Sequence, residues 1–293
     1  MIEGVGFKLL IDNCLLTCYY IEQQLCSIKT QMNNPELRQK YILEQVNEHG
    51  SASVIELAAN LDVSEMTIRR DLVELERVGL LRRVYGGAIN SRGRSFEPPL
   101  AIRSEENREL KQRLGRYAAG MVIEGDSISL DIGSTIYAVA EHLKEVHNIT
   151  VITPSLSIGG LFLDRADIRL ILPGGIVRPG ERSMIGDLSR RNLELLFVDR
   201  LFLGAGAIDS YAHLTEYNMD DAQIKQTMIH NAKEVVVVVD SSKFEQVAFA
   251  HIAPFSSLHH CITDEVPPKP LRDALKSANV SIHVVADDHV DIL

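Results

Sequence analysis

The chain has 293 residues, 45% of them hydrophobic, and a formal net charge of −10. Its length suits two packed domains, its charge argues against a generally basic coat for nucleic acid, and its 5% aromatic content without Trp argues against a stacking platform for single strands. The four Cys have neither zinc-site spacing nor a disulfide framework, and no apolar run approaches the roughly 18 residues that span a bilayer, so we expect a cytoplasmic protein with no membrane segment, metal site or cofactor.

Residues 1–31 differ in character from the rest of the chain. The stretch from Phe7 to Leu25 is apolar, but it lacks the basic start and the cleavage site of a signal peptide. Met32 precedes a helix cap with Pro35 at the first helical position, which is a common helix start. We therefore expect translation to begin at Met32 and residues 1–31 to be a non-native extension; a short extra helix that packs on a partner subunit is the alternative.

Two helices and a tight turn are predicted to lead into a third helix. The first two cover Pro35–Glu48 and Val54–Asn60, and Ser64 suits the N-cap of the third because its hydroxyl can accept a first-turn N–H. Gly79 is placed to end that helix in a left-handed conformation. Two helices joined by three or four residues form a helix-turn-helix, whose second helix enters the major groove of DNA.

A hairpin is predicted directly after this third helix. Leu80–Tyr85 has the pattern of a strand, Gly86-Gly87 that of a turn, and Ala88–Asn90 that of a return strand. Residues 34–90 are therefore predicted to form a winged helix-turn-helix that binds double-stranded DNA. The alternative is a plain three-helix packing module with an incidental hairpin.

Positive charge is concentrated where this unit would meet DNA. From Ser64 to Arg94 there are seven Arg and four acidic residues, a local excess of three positive charges, as a small sequence-specific DNA reader needs. Since neighbouring helix residues point about 100° apart, we expect either Arg69 or Arg70 to read a base edge, most plausibly guanine, while the other contacts phosphate. The predicted DNA-binding residues are Ser64, Met66, Thr67, Arg69, Arg70, Arg82, Arg83 and Tyr85.

Residues 91–121 are predicted to connect this unit to a second one. The composition of Ser91–Leu100 is typical of a linker, and Ile102–Met121 has the pattern of one polar helix with Lys111 on its solvent side. From residue 122 to 287 strands alternate with helices, and continuous apolar strands such as Val235–Val239 indicate a mostly parallel sheet covered on both faces. The predicted strands are Ser127–Asp131, Ile149–Thr153, Arg169–Leu172, Arg200–Gly204, Val235–Asp240, His260–Thr263 and Ser281–Val285, and the helices are Thr135–Leu143, Leu156–Leu163, Leu188–Leu196 and Met219–Asn231.

Small polar residues follow several of these strands. Ligands of α/β sheets bind beyond the carboxyl ends of the strands, and glycine, hydroxyls and a helix start together suit an anion. We therefore expect one crevice for a small phosphorylated ligand, although each of these residues alone is also ordinary turn chemistry. The predicted effector-binding residues are Asp131, Gly133, Ser134, Thr135, Thr153, Ser155, Gly174, Gly175 and Lys243.

In order along the chain, these motifs resemble the DeoR family of bacterial transcriptional regulators, from Asn34 to about Asp287. The motifs that carry the resemblance are Val63-Ser64 with Thr67-Ile68-Arg69-Arg70-Asp71-Leu72, Arg83-Val84-Tyr85-Gly86-Gly87-Ala88, Asp131-Ile132-Gly133-Ser134-Thr135, Pro173-Gly174-Gly175, Phe202-Leu203-Gly204 and Asp240-Ser241-Ser242-Lys243-Phe244. The resemblance implies a winged helix-turn-helix followed by an effector-binding and oligomerisation domain, residues 122–287, similar to ribose-5-phosphate isomerase. It also implies a repressor of a sugar-catabolic operon that responds to a phosphorylated sugar or related metabolite. Because one half-site gives too little affinity, we expect a homo-oligomer, dimer or tetramer.

Three positions depart from the family pattern. Pro154 stands where the family commonly has Asn, Gly206 where it has Asp, and His213 where it has Gly. An isomerase of that fold uses a carboxylate in this region for proton transfer, so the loss at Gly206 counts against catalysis. The alternatives are a sugar-phosphate isomerase-like enzyme with an added helical domain and a protein-binding winged helix.

Overall fold

A computed structural model describes residues 34–89, 93–98, 100–287 and 289–293. The expected extension at residues 1–31 and the last residue of the predicted return strand, Asn90, lie outside these ranges. The chain divides into two compact units, the first ending at Arg92 and the second beginning at Gly93. Within the described ranges, no helix has both the length and the apolar character needed to cross a membrane.

The first unit is a winged helix-turn-helix, as the sequence predicts. Its three helices enclose a small apolar core that includes Ile42, Leu57, Ile68 and Leu72. Its strands form an antiparallel sheet in the order β1-β3-β2. The elements are α1 (Pro35–His49), β1 (Ser51–Ser53), α2 (Val54–Leu61), α3 (Glu65–Arg77), β2 (Arg82–Val84) and β3 (Gly87–Ile89).

Both ends of α3 form as the sequence predicts. The Ser64 hydroxyl accepts the N–H of Thr67 at 3.2 Å, which satisfies one of the first-turn donors. Gly79 has φ 77°, and the N–H of the next residue, Leu80, returns to the carbonyl of Leu75 at 2.9 Å. This left-handed glycine lets the chain leave the helix sharply enough to begin the wing.

The turn of the wing lies one residue earlier than predicted. Val84 pairs with Gly87, so the two turn residues are Tyr85 and Gly86, and Gly87 belongs to β3. A Cβ on Gly87 would lie 2.3 Å from the carbonyl oxygen of Ala52. Glycine is needed here because β3 packs closely on β1, a strand that the sequence reading did not foresee.

The second unit is built on an eight-stranded sheet in the order β16-β15-β14-β12-β9-β4-β5-β6. Every pair is parallel except the antiparallel edge strand β16. The mostly parallel sheet and all seven of its predicted strands are confirmed, with ends shifted by up to three residues. The sheet strands are β4 (Ser127–Leu130), β5 (Thr150–Ile152), β6 (Arg169–Ile171), β9 (Val198–Leu203), β12 (Ala232–Val238), β14 (His260–Thr263), β15 (Ser281–Val285) and β16 (Val290–Ile292).

Helices cover this sheet, and two small antiparallel sheets accompany it. Hairpin β7–β8 and the three-stranded sheet β10-β11-β13 were not predicted, because their strands have only three or four residues each. The remaining elements are α4 (Leu100–Glu105), α5 (Arg108–Ala119), α6 (Ser134–His142), α7 (Leu156–Gly160), β7 (Ile176–Arg178), β8 (Ser183–Ile185), α8 (Asp187–Leu193), β10 (Ala207–Asp209), β11 (His213–Glu216), α9 (Met219–His230), β13 (Ala250–Ala253) and α10 (Lys269–Ser277), with 3₁₀ turns at Leu143–Glu145, Ser241–Lys243 and Phe255–Ser257.

The prediction of one polar helix over Ile102–Met121 is wrong. The chain breaks between α4 and α5 at Asn107, which has φ 53°. Lys111 is 6% exposed rather than on the solvent side, and its ammonium donates to the carbonyls of Arg103 and Glu106. The break therefore persists because a buried lysine binds the end carbonyls of the first helix.

Candidate functional site

The exposed face of α3 carries most of the predicted DNA-binding residues. Arg70 is exposed, and within the described ranges no side chain binds its guanidinium. Arg69 forms an ion pair with Glu65, in which Nη2 lies 3.2 Å from Oε2. Met66 is 62% exposed. The hydroxyls of Ser64 and Thr67 lie 2.9 Å apart, so both are engaged at the helix start. Arg70 is thus the cation of this face that is best placed to bind something else.

The three predicted DNA-binding residues of the wing differ in their contacts with the rest of the unit. Arg82 and Tyr85 are exposed, with Tyr85 at the tip of the turn. Arg83 is turned back onto α3, where its Nε lies 2.5 Å from Glu76 Oε2 and its backbone N–H donates to Oε1 at 2.8 Å. Arg82 and Tyr85 are therefore available for contacts to a phosphate backbone, and Arg83 fixes the wing to the helix.

A buried ion pair that the sequence reading missed fixes α3 to α1. Arg38 Nε lies 2.5 Å from Asp71 Oδ2, and Nη2 donates to Oδ1 at 3.1 Å. The two side chains are 7% and 6% exposed. A signal was present in the sequence, since Asp71 stands beside Leu72 and three residues after Ile68, on the apolar side of α3. A charged residue at such a position calls for a buried partner.

In the second unit, a crevice opens beyond the carboxyl ends of β4, β9 and β12, where α/β sheets bind ligands. Four predicted residues line it together: Gly133, Ser134, Thr135 and Lys243. Asp131 lies beneath them, 1% exposed, and its carboxylate accepts the N–H of Gly204 at 2.9 Å. The sequence reading therefore found one wall of this crevice and the carboxylate behind it.

Four other predicted effector residues do not line this crevice. Thr153 and Ser155 are buried, and their hydroxyls accept the backbone N–H groups of Ser155 and Ile158 at the start of α7. A Cβ on Gly175, which follows Gly174, would lie 2.6 Å from a carbonyl oxygen of β8. Thr153, Ser155 and Gly175 are thus explained by contacts within the chain, and Gly174 by its positive φ of 74°, which suits glycine.

At the floor of the crevice, Lys225 joins two buried carboxylates. Its ammonium lies 2.6 Å from Asp131 Oδ2 and 2.9 Å from Glu216 Oε2, and it donates to the Gly204 carbonyl at 2.9 Å. Burial alone lowers the pKa of Lys225, but the two carboxylates raise it above its ordinary value. Burial likewise raises the pKa of Glu216, yet the charge and hydrogen bond of Lys225 bring it below normal. Three N–H donors meet three acceptors. Burial raises the pKa of Asp131 against the opposing effect of Lys225, and when both carboxylates are ionised the cluster carries one net negative charge.

The Glu216 carboxylate occupies the space in which a side chain at residue 206 would lie. A Cβ on Gly206 would lie 2.9 Å from Glu216 Oε1 and 2.9 Å from Tyr217 Cε2. The Tyr217 hydroxyl also donates to the Gly206 carbonyl at 3.0 Å. The crevice therefore has a carboxylate at this place, supplied by β11 rather than by residue 206.

Cations gather around the start of α6. Lys111 and Lys243 both line the crevice, and burial lowers the pKa of Lys111. In the part of the chain that the structure describes, no carboxylate pairs with either ammonium. The α6 N-cap is Gly133, without a side-chain cap, and a Cβ there would lie 3.7 Å from Arg103 Nη1. A helix start with unused N–H groups beside cations is suited to an anion such as phosphate.

The segment that follows the first unit also forms part of the crevice. Glu97 bridges Arg103 and Arg178 at 2.8 Å each, and Arg103 also binds Glu181. Burial raises the pKa of Glu97 to about 7 against the opposing effect of Arg103. Glu97, which lies five residues after Arg92, thus gives the crevice wall a carboxyl group whose charge changes near neutral pH.

Throughout the described ranges, no group of three or more His, Cys, Asp and Glu side chains has the arrangement of a metal site.

Comparisons with known proteins match both units. A family model for the DeoR-like helix-turn-helix domain matches residues 38–92, and a model for the DeoR C terminal sensor domain matches residues 106–265. The chain is 30% identical to the putative aga operon transcriptional repressor of Escherichia coli O157:H7, over 85% of this chain and 94% of the relative. It is 31% identical to the glycerol-3-phosphate regulon repressor of Escherichia coli K12, over 84% and 98%.

Other similar proteins include an activator and an enzyme structure. The L-fucose operon activator of Haemophilus influenzae is 30% identical over 80% of this chain and 94% of its own length. The solved structure of ribose 5-phosphate isomerase A from Methanocaldococcus jannaschii is 23% identical, covers 47% of this chain and 55% of its own, and has a TM-score of 0.34. That overlap is too loose to bear on the function of the crevice.

Proposed function

Because the chain belongs to the DeoR family of transcriptional regulators, we propose that it binds operator DNA through α3 and the wing and controls a carbohydrate catabolic operon. The proposed signal is a phosphorylated sugar or related metabolite in the crevice of the second unit. One observation carries this proposal: Lys111 and Lys243, which form no ion pair with a carboxylate of the described residues, flank the uncapped start of α6, in a chain whose other unit is a winged helix-turn-helix. We propose repression as the mode of control.

Within this proposal, the residues of the first unit have different roles. Arg70 reads a base edge, because it is exposed and its guanidinium pairs with no carboxylate among the residues that the structure describes. Arg69 contacts phosphate beside Glu65, and Met66 lies toward the groove floor, where its apolar side chain suits a thymine methyl. Arg82 and Tyr85 contact the backbone. Two copies of the chain present two reading helices to two half-sites, which is how a dimer of this motif gains affinity.

The second unit is proposed to regulate without turning over its ligand. A change in crevice charge or shape would alter DNA affinity through a coupling free energy, typically about 1–3 kcal/mol. The relatives with curated names are regulators, which supports this reading over an isomerase-like enzyme. Turnover of pentose or hexose phosphates by the purified protein would contradict it.

The direct test measures DNA binding and its response to phosphorylated sugars. Fluorescence anisotropy with DNA fragments from around the gene is expected to show binding at physiological salt. At least one phosphorylated sugar should change that affinity, and its unphosphorylated counterpart should not. If no fragment is retained even at low salt, where non-specific phosphate contacts are strongest, the protein-binding winged helix becomes the better reading.

Arg70→Ala is expected to lower operator affinity about 5- to 150-fold, the loss that follows when about 1–3 kcal/mol of base contact is removed. The change is at an exposed position, so the fold should persist. Anisotropy titration at physiological salt measures the effect. Lys276→Ala, which removes one exposed positive charge from α10 of the second unit, is the matched control and should leave the affinity within about two-fold. Unchanged binding by the Arg70 variant would contradict the placement of this residue on DNA.

A further inference from the structure

The crevice has its cations without a directly paired carboxylate and its pair of buried carboxylates at different places, although Glu106 and Asp240 also line it near Lys111. Around the start of α6, Lys111 and Lys243 lack paired carboxylates across the described ranges. At the floor, two carboxylates, Asp131 and Glu216, share the single ammonium of Lys225. The same crevice is thus cationic where it can take a phosphate and anionic at Glu216.

We propose that Glu216 determines which phosphorylated compounds the crevice accepts. The preferred effector carries neutral hydroxyl donors, or an amino group, near Glu216, and compounds with a second anionic group at that end are rejected. This inference rests on the proposed function, because it assumes that the phosphate lies at the start of α6. It concerns the chemical class of the effector, which neither the fold nor the family resemblance specifies.

The first support is that Glu216 shares the ammonium of Lys225 with Asp131, so Lys225 cannot neutralise both carboxylates when both are ionised. One ammonium balances one of the two carboxylates, and its three N–H donors are all engaged. Lys225 therefore has no donor left for an incoming carboxylate. The Glu216 side chain is 6% exposed, and charges in such a low-dielectric place act more strongly and are screened less by salt.

The second support is the shape of the crevice at Gly206. The space that a side chain on residue 206 would take is occupied by Glu216 Oε1 and the Tyr217 ring, each 2.9 Å from the ideal Cβ position. A ligand that passes Gly206 meets this carboxylate edge. Oε1 accepts the Tyr217 N–H at 2.9 Å and retains a lone pair that a ligand hydroxyl can use.

A purely structural role for this cluster would not need Glu216 as a second carboxylate beside Lys225. Asp131 alone would neutralise Lys225, and it also receives the Gly204 N–H. Glu216 adds a second buried carboxylate, which costs desolvation free energy; within the described ranges its only direct ion-pair partner is Lys225, and Arg103 stabilises its charge from farther away. A buried excess charge that faces a binding crevice is typical of a residue that selects ligands by charge.

The test compares open-chain compounds that differ only at the end away from the phosphate. Glucitol 6-phosphate and 6-phosphogluconate form one pair, and ribitol 5-phosphate and 5-phosphoribonate form a shorter one. Isothermal titration with the full chain at pH 8, where Glu97 stays ionised, should show at least ten-fold tighter binding of the polyol phosphate in the better-binding pair. Glu216→Gln keeps the shape and the hydrogen-bond acceptor, and it is expected to reduce this ratio to about three-fold or less, mainly by improving binding of the acid.

Glu105→Gln is the matched control, because it makes the same change on α4 at a side chain that is 74% exposed. It should leave the ratio as in the original protein. Equal affinity for acid and polyol in the original protein would overturn the inference, and so would an unchanged ratio in the Glu216 variant. If neither these four compounds nor inorganic phosphate binds, the placement of a phosphate at the start of α6 is wrong and the inference falls with it, whereas the DNA-binding test of the proposed function is unaffected. Should the Glu216 variant not fold by circular dichroism, the ratio in the original protein still decides.

Discussion

Lys225→Met is expected to lower the free energy of unfolding of the second unit by about 3–5 kcal/mol, the usual cost of removing one partner of a buried ion pair. Asp131 and Glu216 would remain as buried carboxylates, 1% and 5% exposed, without a counter-ion. Methionine fills a similar volume, so the loss reports charge rather than a cavity. Urea unfolding followed by circular dichroism measures it.

Two further variants identify the cause of this loss. Lys233→Met makes the same substitution at an exposed position in β12 and should change stability by less than about 0.5 kcal/mol, as surface substitutions usually do. Adding Glu216→Gln to Lys225→Met should recover part of the loss, because one unpaired charge is removed and neighbouring sites are not additive. A loss below about 1 kcal/mol in the single variant would show that the carboxylates find other partners, contrary to the geometry.

The second large effect is expected in the first unit. Asp71→Ala leaves the Arg38 guanidinium buried without its carboxylate, which should cost about 3–5 kcal/mol in stability. Because this pair joins α1 to α3, operator affinity should fall as well, although Asp71 itself is buried away from the exposed face of α3. Hydrogen exchange should show lost protection along both helices, and anisotropy should show weaker DNA binding.

The control for this variant removes an exposed carboxylate from the same helix. Glu65→Ala breaks only the surface pair with Arg69, in which both side chains are 52% exposed, and such pairs are typically worth at most about 1 kcal/mol. Replacing both buried partners together, as in Arg38→Met with Asp71→Leu, should restore most of the lost stability, since apolar pairs can substitute for buried ion pairs. Retained protection in α1 and α3 of Asp71→Ala would contradict the structural role of the pair.

The largest losses of folding stability are thus expected from substitutions in the two buried ion pairs, and not at the residues proposed to contact DNA or effector. Arg70 is exposed and Lys243 is half-exposed, so both side chains can contact a ligand. Asp71 and Lys225 are buried and hold the elements that present them. Substitutions of Arg70 or Lys243 should change ligand affinity at constant stability. Substitutions of Asp71 or Lys225 should change both affinity and stability.

Local sequence patterns were sufficient to predict the helix-turn-helix, the wing and the mostly parallel sheet. These features depend on local periodicity and on turn residues such as Ser64 and Gly79, which act over a few positions of the chain. The sequence also located one wall of the crevice, because residues after buried parallel strands must meet at the same sheet edge. Family membership, predicted from the order of these motifs, is confirmed by the matches to both units.

Which polar residues face the crevice and which charges pair depends on contacts between segments that are distant in sequence. Asp71 pairs with a residue 33 positions away, and Lys225 with one 94 positions away, so no local pattern contains these contacts. The same holds for Lys111, whose polar neighbours suggested a solvent-facing position while its ammonium binds the end of α4. Thr153 and Ser155 have the right composition for a ligand site, but their hydroxyls are used by the backbone of α7. Burial and long-range charge pairing arise from the packing of elements distant in sequence, and for that reason the floor of the crevice, with Glu216 beside Gly206, could be found only in three dimensions.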